Sequence, residues 1–381
     1  MTAPALRLAM VAGEASGDLL ASLLMDGLHQ RWPQARLAGI GGPQMKTLGF
    51  DAWWPSDKLA VRGYVEVLRH YREIKGIRDA LAQRLLVERP AAFIGVDAPD
   101  FNLGLEATLR GAGIKTIHFV CPSIWAWRGE RARKMAVSCD HVLCLFPFEP
   151  ALLQAQGVAA SYVGHPLADA IPMVVPRVQA RAALGLSAHE PVVAILPGSR
   201  RSEIHHIAPT FLQAAQRLQR DRPGMRFLLP IAPGLRDMLA PLLRRHAREA
   251  LITLLDGQSH AALAACDATL IASGTATLEA ALFKRPMVIG YRMNPLTWQM
   301  MKRMRYQPWV GLPNILCREF VVPEFIQEAC QAEVLAHAVG AAIDDASGAT
   351  RLHARFAELH EGLRCDTASR ASEVVAAVLE A

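Results

Sequence analysis

The chain has 381 residues, 52% hydrophobic and 20% charged, which suits two globular domains with their own cores and excludes a disordered chain. Lys and Arg outnumber Asp and Glu by 41 to 35, favouring an acidic partner without choosing among nucleotide, phospholipid and nucleic acid. The seven cysteines lack metal-ligand spacing, the N-terminal apolar stretch is too short for a signal peptide, and no window approaches the ~18 apolar residues of a membrane span, so reduced thiols in a cytoplasmic protein are expected.

In chain order, short β-rich apolar runs at 6–12, 35–40, 92–96, 114–120 and 141–145 predict buried strands. Helical patterns at 18–31, 67–87 and 103–110 separate them. Alternation of this kind implies βαβ units and a parallel sheet. Pro166, Pro172 and Pro176 then mark a candidate linker. The pattern restarts with strands at 192–196, 226–230, 252–255, 268–272 and 286–290, and the last fifty residues read as helical. The reading is α/β throughout: a first domain at 1–168, a second at 186–345, and C-terminal helices at 346–381 that pack on the first domain or on a partner subunit. Two successive α/β halves also predict a ligand cleft between them.

Five strand ends carry candidate chemistry. Gly13-Glu14-Ala15-Ser16-Gly17-Asp18 follows the first strand. Its glycines allow a tight turn and Ser16 suits a helix cap, giving either an anion site at a helix N-terminus or simply a capped βα turn. Asp97, in Gly95-Val96-Asp97-Ala98-Pro99-Asp100-Phe101-Asn102, stands beyond a strand's carboxyl end. A general base or a helix cap both fit it. Cys121-Pro122-Ser123-Ile124-Trp125-Ala126-Trp127-Arg128 places two indoles beside a cation, for sugar stacking or for packing. In the second half, Ser199 and Arg200 in Leu196-Pro197-Gly198-Ser199-Arg200-Arg201-Ser202-Glu203 suit a pyrophosphate. Ser273-Gly274-Thr275-Ala276-Thr277 opens a helix towards a diphosphate. Glu279, one turn on, is placed either to take a ribose or to favour the helix dipole. No DxD pair or His/Glu metal set occurs, so no metal and no cofactor is expected, and Arg groups with a helix dipole would stabilise a leaving diphosphate.

Tyr64, Val67, Leu68, Tyr71, Ile74, Ile77, Leu81 and Leu85 recur at three- and four-residue steps, with Arg62, Arg69, Arg72, Lys75, Arg78 and Arg84 around them. Such a helix faces either its own core or a bilayer interface.

AGEASGD, GVDAPDFN, PSIWAWR, LPGSRRSE, ASGTATLE and VGLPNIL (310–316), in this order, resemble the lipid-A-disaccharide synthase family over nearly the whole chain. The resemblance implies a GT-B fold, two Rossmann-like domains facing across a cleft, and an inverting transfer. The donor would be UDP-2,3-diacylglucosamine and the acceptor the 6-hydroxyl of 2,3-diacylglucosamine 1-phosphate (lipid X), giving a β-1,6 disaccharide 1-phosphate and UDP. Carried over motif by motif, Asp97 would be the base and Glu14 and Ser16 would line the first-domain side. Ser199, Arg200 and the stretch Ser273, Gly274, Thr275 and Thr277 would hold the diphosphate, Glu279 the ribose, and Asn314 would reach in from the second domain. The acyl chains give Tyr64, Val67, Leu68, Tyr71 and Ile74 a reason to face a membrane, so peripheral association with the inner face of the inner membrane is expected. A homodimer is compatible with the helical tail, and no nucleic-acid module appears. Other users of UDP-sugars, such as a peptidoglycan-precursor glucosaminyltransferase or a sugar-nucleotide epimerase, would share the second-half motifs but not the first-half ones. A non-catalytic membrane-surface module would leave the strand-end motifs without purpose.

Overall fold

The computed structural model describes residues 5–13, 15–59, 64–125, 129, 131–304 and 307–381, with side chains omitted over 64–71 and at a few further positions. The chain divides into two units, Met1–Ala170 with Leu363–Ala381, and Ile171–Gly362.

The first unit runs β1 (Arg7–Ala12), α1 (Ala15–Arg31), β2 (Arg36–Gly41), α2 (Pro43–Thr47), β3 (Asp51–Pro55), α3 (Tyr64–Glu88), β4 (Ala92–Val96) and α4 (Pro99–Gly111). It continues with β5 (Lys115–Phe119), α5 (Arg131–Ser138), β6 (His141–Cys144), α6 (Glu149–Gln154), β7 (Ala160–Tyr162) and α7 (Pro166–Ala170). The strands form one parallel sheet in the order β3-β2-β1-β4-β5-β6-β7. Strand order therefore reverses between β1 and β4, the position where open α/β sheets leave a crevice beyond their carboxyl ends. Ala12 pairs with Val96, so the loops that leave these two strands start level with each other.

The second unit runs α8 (Arg177–Ala183), β8 (Val192–Leu196), α9 (Arg201–Asp221), β9 (Arg226–Ile231), α10 (Arg236–His246), β10 (Ile252–Asp256), α11 (Ser259–Ala265) and β11 (Ala268–Ile271). After them come α12 (Thr275–Leu282), β12 (Met287–Tyr291), α13 (Pro295–Met304), α14 (Leu312–Cys317), β13 (Glu324–Ile326), α15 (Ala332–Asp344) and α16 (Ala346–Leu363). Its parallel sheet has the order β10-β9-β8-β11-β12-β13. Here the order reverses between β8 and β11, whose ends align through the Leu196–Ile271 pair.

The central strands are buried on both faces, as an all-parallel sheet covered by helices requires. In the first sheet Met10, Ala12, Ile94, Val96, Ile117 and Phe119 pack beneath α1, while Ala9, Val11, Ile40 and Phe93 pack with α4 and the later turns of α3 on the opposite face. The last helix, α17 (Thr367–Glu380), returns to the first unit. Its Ala371, Val375 and Val378 enter the core beside Leu24 and Leu28 of α1. The two helices nearly touch: a Cβ on Gly27 would lie 2.1 Å from the Ala368 carbonyl oxygen. Helix α16 up to Gly362 clusters with the second unit.

Three strands were not foreseen. All of them, β3, β7 and β13, are sheet edges of three to five residues. Edge strands bury less and tolerate polar residues and Pro, so β3 (Asp-Ala-Trp-Trp-Pro) carries no apolar run to read.

The described part of the Tyr64–Leu85 stripe is corrected. Ile74 and Ile77 are half-buried against the first unit's own core, and Leu81 and Leu85 lie fully inside it. The spacing that suggested a membrane face thus serves the core from Ile74 onward. The side chains of Tyr64, Val67, Leu68 and Tyr71 lie outside the described residues. Among the described residues no helix is long and apolar enough to cross a membrane. All seven cysteines are free thiols, and five of them are buried.

Candidate active site

The reversal point of the first sheet joins the first two motifs. Gly13 leaves β1 and Asp97 leaves β4, and a Cβ on Gly13 would stand 3.2 Å from the Cβ of Ala98. Asp97 and Ala98 both adopt left-handed backbone, with φ of 51° and 44°. L residues rarely hold that conformation, and such outliers concentrate where a side chain is aimed for a purpose. Asp97 donates its backbone N–H to the Phe119 carbonyl at 2.9 Å, and its own carbonyl accepts from Asn102 Nδ2 at 2.8 Å. Its side chain is not used as a cap: the cap position of α4 is Ala98, which makes no side-chain capping bond. Asp100 forms an ion pair with Arg131 at 2.6 Å.

The rest of the first motif divides into structural and open positions. Asp18 is buried and accepts the backbone N–H groups of Gly42, Gln44 and Met45, so it caps α2. Ser16 lies inside the first turn of α1, which begins at Ala15, rather than at the expected cap. It is half-buried. Glu14 lies outside the described residues.

Beneath the Asp97 turn the fold assembles a polar group that sequence reading missed. His118 Nδ1 and a Glu106 oxygen are 2.7 Å apart, and Cys139 Sγ donates to the other oxygen at 3.1 Å. Ligand atoms of the three lie within 4.8 Å of one another, but both Glu106 oxygens are already engaged in these hydrogen bonds. Burial opposes charge on His118, yet the Glu106 carboxylate overcomes it, and the imidazole sits above its ordinary value, with Asp97 adding a smaller push upward. The available signals were Asn102 and Glu106, four apart on one face of α4, and a lone His inside the apolar strand β5.

Trp125 of the third motif is packing. Its Nε1 donates to buried Glu149 at 3.0 Å, and its ring meets Phe146 and Phe148 edge-on. Trp127 and Arg128 lie outside the described residues.

In the second unit the fourth and fifth motifs meet at the β8/β11 reversal point. The Ala272 N–H donates to the Leu196 carbonyl at 2.8 Å. Glu203 fills the N-terminus of α9: it accepts from the N–H groups of Ser199 and Arg200 at 3.0 and 3.2 Å and from the Arg200 guanidinium at 2.7 Å. Glu324 does the same at α14, accepting from Val310 and Gly311 at 2.9 and 2.8 Å. Helix α12 differs. Gly274 and Thr275 are exposed at its start, its first turn carries no acidic residue, and its cap position makes no side-chain capping bond. Gly274 has φ of 149° and an open space where a Cβ would be. Of these three helices it is thus α12 whose positive dipole end meets no capping carboxylate among the described residues.

The remaining predicted residues separate accordingly. Ser273 donates to the Val310 carbonyl at 2.8 Å, tying the two loops together. Glu279 is largely buried at the side chain and pairs with His260 at 3.1 Å. Two expectations are corrected. Thr277 is fully buried, its hydroxyl donating to the Gly274 carbonyl and accepting from the Leu312 N–H. Asn314 is also fully buried: its amide donates to Val322 and Glu324 and accepts from the Val322 N–H. Both tie neighbouring loops together through these hydrogen bonds.

Comparison with known proteins places this geometry. The model of the family described as lipid-A-disaccharide synthetase matches residues 8–378. A lipid-A-disaccharide synthase of Verminephrobacter eiseniae is 56% identical over 384 residues, covering 100% of this chain and 98% of that protein. One of Albidiferax ferrireducens is 57% identical over 380 residues, covering 98% of each. Among solved structures, a UDP-GlcNAc 2-epimerase from Neisseria meningitidis bound to UDP-GlcNAc is similar with a TM-score of 0.67 at 11% identity, covering 98% of this chain and 100% of that one. The glycotransferase of kitacinnamycin has a TM-score of 0.66 at 15% identity, covering 99% and 100%. At those identities the likeness shows the fold, which is GT-B. The chain belongs to the lipid-A-disaccharide synthase family and is a glycosyltransferase of lipid A biosynthesis.

Proposed function

We propose that the chain transfers the 2,3-diacylglucosamine unit of UDP-2,3-diacylglucosamine to the 6-hydroxyl of 2,3-diacylglucosamine 1-phosphate, with inversion, releasing UDP. The observation that carries the reading is Asp97. Its left-handed backbone at the reversal point of the first sheet holds a carboxylate that no helix cap occupies. As the acceptor O6 attacks the donor's anomeric carbon, its proton passes to that carboxylate while the bond to the diphosphate breaks. The departing charge settles at the start of α12, where Gly274 and Thr275 present backbone N–H groups at the positive end of the helix. Arg200 adds a cation by exchanging part of its contact with Glu203 for the phosphate. Glu279 accepts the ribose hydroxyls.

The family relation supports these substrates, since lipid A disaccharide formation requires two acylated glucosamine units. Acylated substrates also support work at the surface of the inner membrane, with Tyr64, Val67, Leu68 and Tyr71 as the contact.

Mass spectrometry of reactions in mild detergent, with both lipids and a chelator, tests the reading. The expected products are disaccharide 1-phosphate and UDP in equal amounts. Folded protein that releases no UDP from this pair, yet does so with another acceptor, overturns the acceptor assignment.

A further inference from the structure

Three fully buried polar side chains beneath the Asp97 turn take no part in the steps above. Asn102 and Glu106 on α4 and His118 on β5 are each 0% exposed. Asn102 Nδ2 donates to the carbonyl of Asp97 at 2.8 Å and lies 3.5 Å from that of Val96. Glu106 bridges His118 Nδ1 and Cys139 Sγ. The strand rests directly on this group: a Cβ on Gly95 would fall 2.1 Å from Glu106 Oε1 and 3.0 Å from Asn102 Cβ. Asp97 is gripped from the other side as well, because its N–H is bonded to Phe119, the residue after His118.

Core stability does not ask for such a set. Apolar residues of similar volume are easier to bury than a hydrogen-bonded carboxyl–imidazole pair. Asn102 Oδ1 and His118 Nε2 are buried without a hydrogen-bond partner, a further cost of keeping polar groups here. What the arrangement does provide is a fixed donor beneath the Asp97 carbonyl. That carbonyl belongs to the first of two consecutive left-handed residues, a conformation that lasts only where the surroundings over-determine it.

We propose that Asn102 is a positioning residue that holds Asp97 in its left-handed turn, with Glu106, fixed by His118, bracing the strand beneath it at Gly95, so that the carboxylate stands ready at the strand end. The proposal rests on the reading of Asp97 as the base. Asn102 touches neither substrate; it acts through the Asp97 backbone.

The test is a double-mutant cycle on the full chain. Asn102→Asp keeps the side-chain shape and removes the donor to the Asp97 carbonyl. Its expected effect is a fall of about a hundredfold in kcat, with KM for both lipids within about threefold of wild type and the affinity for UDP unchanged. In an Asp97→Asn background the same substitution costs nothing further, because the group it positions is already gone. Equal losses in both backgrounds, or a rise in KM with kcat retained, overturn the proposal. Asp97→Asn alone turning over at the wild-type rate overturns the base reading itself, whatever Asn102 does. Thermal melts establish folding. Where Asn102→Asp fails to fold, Glu106→Gln enters the same cycle: a loss of kcat that disappears in the Asp97→Asn background supports the brace, and an unchanged kcat overturns it.

Discussion

Glu149 shows how a single buried group ties local packing to solution behaviour. It is 1% exposed and receives hydrogen bonds from Trp125 Nε1 and the Phe146 N–H, both at 3.0 Å. Burial pushes its carboxyl up to about 7, with those donors pulling it back only in part. The folded state therefore binds this proton more tightly than the unfolded chain. Its contribution to stability is complete below the ordinary glutamate range and is lost as pH rises through about 7. The linked free energy is about 3 kcal/mol. Glu149→Gln is expected to flatten the decline in melting temperature between pH 5 and pH 8 relative to wild type, as followed by circular dichroism. Parallel curves for the two proteins would show that Glu149 is not the group responsible. At this scale Asp97 was legible because a carboxylate just past an apolar strand is visible in sequence. The roles of Asn314 and Thr277 were not, because a polar residue in a loop reads alike whether it meets a ligand or Glu324, and only burial separates the two.

At the scale of elements, helix N-termini organise both units. Asp18 caps α2, Glu203 caps α9, Glu324 caps α14, and Asp169 receives the N–H groups of Asp366 and Thr367 at the start of α17. Unlike the starts of α9 and α14, the start of α12 is exposed at Gly274 and Thr275 and carries no side-chain cap. The central strands were legible from their apolar runs, but β3, β7 and β13 were not, since edge strands need not be apolar on both faces. The helical stripe at 64–85 was legible as a stripe. What it faces was not, because period 3.6 is the same towards a core and towards a bilayer. The closeness of α17 to α1 also escaped the sequence, as Gly27 gives no sign of the carbonyl 2.1 Å from where its Cβ would be. Gly27→Ala is expected to force the helices apart and to cost about 1–3 kcal/mol, read as a lower midpoint in urea unfolding. An unchanged or raised midpoint would mean that α17 does not pack on α1 in solution.

At the scale of the whole molecule, each unit carries its candidate motifs at the place where its strand order reverses: β1/β4 with Asp97, and β8/β11 with Arg200 and the start of α12. That coincidence follows from topology, since adjacent crossovers leaving to opposite faces open a crevice above the two strands. Ordering six motifs along one chain was enough to indicate the family. The Glu203 cap of α9 lies within its own motif, whereas the Glu324 cap of α14 and the meeting of Glu106 with His118 and Cys139 emerged only when residues more distant in sequence were brought together. The proposed reaction is a direct displacement in which an acceptor hydroxyl, relieved of its proton by Asp97, attacks the face opposite the departing UDP. The configuration of the new glycosidic bond tests it most directly. Proton NMR of the disaccharide made from an α-linked UDP-sugar should show a β linkage at O6. An α linkage would mean retention through a different mechanism and would contradict the role given to Asp97.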